Sequence, residues 1–400
     1  MEAPRRLLIA FTALVVVAAA CAAEPIAAPS PPPSALEPTT TPTTSSTTTT
    51  TIPSIPPMDI TGVPSDLARV IESVYEHAAG IGESPVESRY LPQRGVAEGM
   101  AGRSGSGGVA HLAGSQIALV ATGPDLLAAV DHGDGWQLVA VDLPSLEHRD
   151  LGYASVVIAV VGSDARPGEV PTRARADSLH LVGFDGVAGT LDIVGIPRDS
   201  WVSIPGGTLG KINSALATGG PERMIAALEA LCGYPLDGML LTGFEGFQEA
   251  LGNVLGGVQI TLDAPMVDSA SGANFSAGEQ YMNGPQALAF TRTRKTLPLG
   301  DIDRQRNGGL VLVAAATTAR FRPVAERAQM LATASGWAWS DLSAELVLRL
   351  AVTSQVAPVL DIGNVVVPGV PGERGGASVI ELSTRAADIF ADLADGSLEP

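Results

Sequence analysis

With only Cys21 and Cys232, this chain of 400 residues has no set of disulfides to staple its fold. Cys232 follows the helical pattern Met224–Leu231 and reads as a buried structural thiol. Positive charge is equally scarce. Lys211 and Lys295 are the only lysines, and 24 Lys+Arg face 42 Asp+Glu for a formal charge of −18. A broad basic face for a phosphate backbone is therefore missing, which argues against nucleic acid as a partner. Long apolar runs are lacking too. The longest, Leu7–Ala20, falls short of the roughly 20 residues that span a bilayer as a helix.

That run has a different reading. Arg5 and Arg6 precede it and Ala18-Ala19-Ala20-Cys21 ends it, the layout of an export signal over 1–21. A Cys after small residues resembles the bacterial lipobox, in which it becomes the lipidated N-terminus, although Ala18 stands where Leu is usual. Plain cleavage and an uncleaved anchor are the alternatives; all three place the folded part outside the cytoplasm, and the expectation is a tether to the cell membrane, by a lipid or a signal anchor. Residues 22–58 are dominated by Pro, Thr, Ser and Ala and read as a solvated tether.

A hydrophobic content of 46% with 16% charged residues suffices for a substantial core in the remainder. Over 59–150 the pattern predicts a small α+β accessory module. It has a helix at Ser65–Ala79, a Gly-rich loop at Gly95–Gly114, and strands at Gln116–Ala121 and Trp136–Val141 flanking a short helix, Pro124–Val130. His111, His132 and His148 lie there without metal-ligand spacing. From residue 151 the texture becomes buried strand followed by polar loop. Val156–Val161, Ser178–Phe184, Gly189–Ile196 and Val258–Leu262 read as strands, the middle two joined by Asp185-Gly186. Pro221–Leu231, Phe244–Leu255 and Asp301–Arg320 read as helices. The same alternation through Ser340–Ala351, Val365–Pro368, Ser378–Leu382 and Thr384–Leu393 carries it to the C-terminus. The expectation is an α/β fold, three-layer α–β–α with a central mixed sheet, its catalytic part over 151–325 and a continuation over 326–400.

One stretch breaks with the acidic background: Arg292, Arg294, Lys295, Arg304 and Arg306 fall close together. In an extended segment Arg292 and Arg294 point to one face, and on a helix Asp301 and Arg304 are neighbours. Arginine forks match phosphoryl oxygens, so a phosphate pocket is one reading and a solvated charge run the other. Further clusters sit at strand ends, where open α/β sheets place ligands: Asp164, then Arg175 with Asp177, then Arg198. Carboxylates among arginines invite a hard divalent cation, with Asp164 and Asp177 holding Mg²⁺. Fold-stabilising ion pairs are the plainer account of any single pair.

Taken in order, the clusters read Gly-Ser-Asp-x-Arg at 162–166, Arg-x-Asp-Ser at 175–178, Ile-Pro-Arg-Asp-Ser at 196–200 and Lys-Ile-Asn-Ser-Ala at 211–215. Asn283-Gly284 leads to Ala287-Leu288-Ala289-Phe290-x-Arg292-x-Arg294, and Asp301-x-x-Arg304 follows. This series resembles the LytR–CpsA–Psr family of the bacterial envelope. The resemblance implies an apolar groove for a polyprenyl chain and an arginine-lined mouth for its diphosphate. It implies transfer of a glycan phosphate, of teichoic acid, capsular or arabinogalactan type, from that carrier to peptidoglycan. Asp164 and Asp177 would then bind Mg²⁺. Arg175, Arg198, Lys211, Arg292, Arg294 and Arg304 would hold the diphosphate, and Asp301 would orient Arg304 or assist the acceptor hydroxyl. Where the family continues with Arg-Gln, this chain has Asn307-Gly308, which predicts the loss of an amide donor. A pyrophosphatase that uses water, or a lipid-carrier binding protein without turnover, are the competing readings.

Overall fold

A computed structural model describes residues 58–96 and 103–398. The expectations for the export signal, Cys21 and nearly all of the tether lie outside the described residues.

Chain order begins with β1 (Asp59–Thr61), α1 (Ser65–Ala78), β2 (Ser104–Leu112), β3 (Ser115–Thr122), β4 (Asp125–Asp131), β5 (Trp136–Leu143) and β6 (His148–Asp150). The six strands form one sheet in sequence order. Two expectations fail here. Residues 125–131 are strand, not helix, because Gly123-Pro124 makes a two-residue turn with Gly123 at φ 63° and returns the chain antiparallel to β3. Both faces of β4 are buried, Leu126, Ala128 and Val130 on one side and Leu127 and Ala129 on the other, so the alternation that marks a strand is missing. The Gly-rich segment is not all loop either, since 104–112 is β2. Its glycines admit a neighbouring backbone: a Cβ on Gly108 would lie 2.0 Å from the Ala325 carbonyl oxygen.

Next come β7 (Ser155–Ser163), β8 (Ala176–Asp185), β9 (Thr190–Gly195), the ribbon β10 (Trp201–Ile204) and β11 (Thr208–Lys211), and α2 (Ser214–Cys232), which breaks at Gly220 before Pro221. Then follow β12 (Gly238–Thr242), α3 (Phe244–Glu249) running into a π-helical turn at Ala250–Val254, β13 (Val258–Leu262), β14 (Met266–Asp268), β15 (Ala273–Phe275), β16 (Gly278–Met282) and α4 (Gly284–Arg292). The chain continues through α5 (Asp301–Arg320), α6 (Val324–Ser335), β17 (Trp339–Ser340), α7 (Ala344–Val356), β18 (Asn364–Val366), β19 (Gly369–Arg374), β20 (Ala377–Leu382) and α8 (Arg385–Leu393).

The second main sheet is mixed, in the order β17-β12-β7-β8-β9-β18. Its period of two divides the core cleanly. Val157, Ala159, Leu179, Leu181 and Met239 face α2 and α8, while Ile158, Val182, Phe184 and Ile193 face the helices that follow α4. The α–β–α layering is thus as expected. The first sheet joins it through those helices: Val347, Leu348 and Ala351 of α7 belong to one buried cluster with Ile117 and Val130 on one side and Ile158 and Val182 on the other. Helix α1 covers the far face with Leu67, Ile71 and Val74. Fully burying an aliphatic side chain of this size stabilises by roughly 1.5–3 kcal/mol.

Candidate functional site

The site grows from an irregularity in β8. Ser178 pairs with Gly162 but Ala176 pairs with Ser163, so Asp177 is an extra residue, a β-bulge that re-aims its side chain out of the sheet. The bulge disturbs the local ladder, and α5 compensates. The buried Gln305 amide accepts from the Leu179 N–H at 3.3 Å and donates to the Asp177 carbonyl at 3.3 Å. Before β8, the Asp164 N–H donates to the Arg175 carbonyl at 2.9 Å, and Asp164 Oδ1 accepts from the Arg175 N–H at 2.9 Å. These bonds close the loop that carries both residues.

Around Asp177 the charges interlock. Arg198 donates from Nη1 to Asp177 Oδ1, and Arg304 Nη1 lies 3.7 Å from Oδ2. Asp301 Oδ1 sits 2.8 Å from Arg304 Nη2, the expected neighbour pair on α5, and 3.6 Å from Arg198 Nε. Lys211 Nζ is 2.8 Å from Asp199. Burial alone would lower Arg198, but Asp177, Asp301 and Asp199 together raise it. Arg304, only 7% exposed, goes the other way: burial pushes its guanidinium down against Asp301, and the nearby Arg198 charge adds to the push. The two arginines share the same carboxylates and differ because Arg304 is the more deeply buried. Neither oxygen of Asp301 has an aligned hydrogen bond, nor do Nε and Nη2 of Arg304.

Two recesses meet at this network. A polar mouth of about 690 Å³ is lined by Asp164, Arg175, Asp177, Arg198, Lys211 and Arg294. An apolar slot of about 70 Å³ runs beneath α3, α4 and α5, between Val160, Phe244, Phe247, Leu251, Leu288 and Leu312, with Leu251 supplied by the π-helical turn. Asp177 borders both. A smaller recess of about 160 Å³ joins Asp177, Arg198, Arg292, Arg294, Lys295 and Arg304. Thus Arg292 and Arg304 line both the slot and the charged recess.

Every site residue named from the described part of the sequence borders the mouth or the charged recess, except Asp301, which reaches them through Arg198 and Arg304. Arg292 and Arg294 arrive differently from the expectation. Arg292 ends α4, because Asn283 and Gln286 form a capping box that starts a helix running to it, and only from Thr293 is the backbone extended. Its guanidinium lies 4.7 Å over the Phe244 ring, and neither arginine has a carboxylate partner among the described residues. The expected loss of an amide is also qualified, since Gln305 supplies one to β8. Cys232 is half-buried and packs at the edge of the α2 core.

Three further contributors are not singled out from the sequence, although one, Asp199, lies inside the run at 196–200. Asp268 accepts from the backbone N–H groups of Arg294, Lys295 and Ala270 at 3.2, 3.3 and 2.9 Å; these bonds fix the arginine segment and hold its carboxyl below the usual range. Asp199 is the partner of Lys211. His180, fully buried, lines the slot.

Among the described residues no group of three or more His, Cys, Asp or Glu is arranged to hold a metal ion. Asp164 and Asp177 do border one mouth. Two carboxylates are a fitting donor set for Mg²⁺, which keeps several waters and takes its other oxygens from phosphates.

A family model described as the LytR_cpsA_psr family matches residues 142–391. The polyisoprenyl-teichoic acid–peptidoglycan teichoic acid transferase TagU of Bacillus subtilis (strain 168) is 36% identical over 149 residues, 37% of this chain and 47% of that protein. The chain spans about half the length of the curated relatives it matches. Among solved structures, a Streptococcus agalactiae protein superposes with a TM-score of 0.54 at 20% identity, covering 61% of this chain and 89% of the other. TagV of B. subtilis gives 0.52 at 23%, covering 62% and 98%. At such identities the likeness concerns the fold alone. Since the family model takes in more than half of the chain, together with every charged residue of the mouth, the chain belongs to the LytR–CpsA–Psr family.

Proposed function

We propose that this protein is an extracytoplasmic phosphotransferase that moves a glycan phosphate from a polyprenyl-diphosphate carrier to a hydroxyl of peptidoglycan. The observation that carries the reading is the sharing of Asp177, Arg292 and Arg304 by an apolar slot and an arginine-lined recess. A lipid diphosphate has that duality, with an apolar tail joined to a compact anion. The slot is narrow as it stands, about 70 Å³, so a prenyl tail enters by parting α3, α4 and α5. TagU of B. subtilis is named as a teichoic acid–peptidoglycan transferase, and we read the same reaction class here.

In this reading Arg175, Arg198, Lys211, Arg292, Arg294 and Arg304 bind and orient the diphosphate. Asp164 and Asp177 would hold Mg²⁺, which when bound supplies further charge neutralisation to the phosphate oxygens. The acceptor oxygen bonds to the sugar-side phosphorus as the bond from that phosphorus to the bridging oxygen breaks, and polyprenyl phosphate leaves with that electron pair. The hydroxyl proton passes to water in the mouth, while Asp301, whose buried carboxylate lies against Arg304 and Arg198, orients those two arginines. Pre-set arginines around a developing phosphoryl charge are the main source of rate in such transfers. The N-terminal lipid or anchor keeps the site near its carrier. Among the described residues no helix is long and apolar enough to cross a membrane.

The test incubates the protein with a polyprenyl-diphosphate glycan and Mg²⁺, with and without peptidoglycan. Glycan attached to peptidoglycan is the expected product. Phosphate release without acceptor and no attachment would make the protein a pyrophosphatase, and tight lipid binding with no turnover a carrier-binding protein. Failure to bind the diphosphate lipid at all would overturn the whole reading.

A further inference from the structure

Helix α5 carries two adjacent glycines, Gly308 and Gly309, in its interior, where glycine is unfavourable against alanine. Neither adopts the left-handed backbone that would call for glycine. Both are explained by what lies opposite. A Cβ on Gly308 would sit 2.6 Å from Cε1 and 3.0 Å from Nε2 of His180, and one on Gly309 would sit 2.0 Å from Oδ1 of Asn364. The sheet pushes two polar side chains into the helix, and the helix makes room for them.

His180 is the one that matters for the site. Its ring lies under Gly308 of α5, with Cδ2 3.6 Å from where a Cβ on Gly195 of β9 would lie, and it borders the slot beside Asp177 and Arg304. Nε2 is 2.9 Å from the Gln305 carbonyl, which can only accept, so Nε2 carries the proton and Nδ1 is left to accept from Ser178 Oγ at 3.3 Å. One imidazole therefore ties the residue after the bulge on β8 to the residue after Arg304 on α5. The Gln305 side chain ties the same two segments in parallel.

We propose that His180 is a positioning residue for phosphoryl transfer: through the seam between β8 and α5 it fixes the bulged Asp177 against Arg304, and Gly308 is the space that admits it. The inference rests on the reading of the site given above and adds a residue outside the charged network. Loss of the tie lets β8 and α5 shift by fractions of an ångström. Such a shift degrades alignment at the phosphorus far more than it degrades binding of the lipid.

The experiment compares wild type with His180→Gln, His180→Leu, His180→Ala and Gly308→Ala, the last also combined with His180→Ala. Turnover of a polyprenyl-diphosphate substrate is measured, and amide hydrogen exchange is followed at residues 176–180. Glutamine keeps a donor and an acceptor, whereas leucine keeps only bulk. His180→Gln is expected within about threefold of wild-type kcat. His180→Leu and His180→Ala should lose roughly 10- to 50-fold in kcat with KM within about threefold, and should lose protection at 176–180. Gly308→Ala should be at least as impaired as His180→Ala, yet add almost nothing once His180 is alanine. Equal kcat for the leucine and glutamine variants would reduce His180 to a space-filler and overturn the proposal, as would independent effects of the two alanine changes. Should Gly308→Ala fail to fold, the glutamine and leucine pair decides alone. Should wild type show no turnover, the function reading fails, while the exchange at 176–180 still decides the tie.

Discussion

Protonating His180 should destabilise this protein from within, and the sign and size follow from its burial. Desolvation, with the Arg304 charge pushing the same way against the bond to Gln305, lowers the imidazole from 6.5 to about 4. Above pH 6.5 neither the folded nor the unfolded chain holds the proton, and His180 contributes nothing to the pH dependence. Between pH 6.5 and 4 the unfolded chain takes it up and the folded one does not, so stability falls as pH falls. Two and a half units at about 1.36 kcal/mol each make roughly 3 kcal/mol. The assay is urea unfolding of wild type and His180→Gln at pH 7.5 and pH 4. Other titrating groups act in both proteins and cancel in the comparison, including Asp192, raised by burial, and Asp268, lowered by its backbone bonds. Wild type is expected to lose roughly 2–3 kcal/mol more than the variant over that interval. Equal losses would mean that the ring is not held neutral in the fold and that its two bonds are wrongly assigned.

Asp177→Asn leaves Arg198 and Arg304 facing a neutral amide; turnover of a polyprenyl-diphosphate substrate should drop by about 100-fold or more, and unchanged turnover would remove Asp177 from the site. Arg292→Lys keeps the charge and loses the planar fork over Phe244, so affinity for the diphosphate lipid should fall part of the way towards that of Arg292→Ala, for which roughly 1.5–3 kcal/mol, about 10- to 150-fold, is expected. Identical affinities for the three proteins in a binding titration would return that stretch to a solvated charge run. In the first sheet, Tyr75 donates to the fully buried Asp125, which Arg103 and Ser145 also hold. Tyr75→Phe should cost roughly 1–3 kcal/mol in denaturant unfolding without altering turnover by more than about twofold, and a large loss of turnover would link that sheet to the chemistry.

Where the fold departs from the sequence reading, one physical cause recurs. Hydrophobic alternation reports a strand only when one face meets water, and β4 is buried on both by α1 and by α7. Glycine reads as loop only until something is seen to approach it, and along β2 that something is the backbone of α6. Both misreadings fall in the first sheet, whose inner face rests on helices drawn from residues beyond 300. The strands 155–163, 176–185 and 190–195 were readable because their apolar runs are bounded by polar loops, although the hairpin loop is the four residues 186–189, held by the Asp185 carboxylate, and not a two-residue Asp185-Gly186 turn.

The charged half of the site was readable for a different reason. Arginine stands out in an otherwise acidic, low-charge chain, and Asp164, Asp177 and Arg198 follow one another at the ends of the adjacent strands β7, β8 and β9. The groups that align those charges are invisible in the same text. Asp268 works through its distance from three backbone N–H groups, Gln305 through a ladder break caused by one extra residue in β8, and Gly308 through an imidazole more than a hundred positions away. Each is an ordinary residue whose role exists only opposite its partner. The family pattern marks the replacement at 307 and 308 only as a lost amide, whereas at 308 the structure puts space in place of a side chain and fills it with His180 of β8. If the tie through His180 holds, Gly308 and His180 are one unit, and position 308 can gain a side chain only once the ring of His180 is gone.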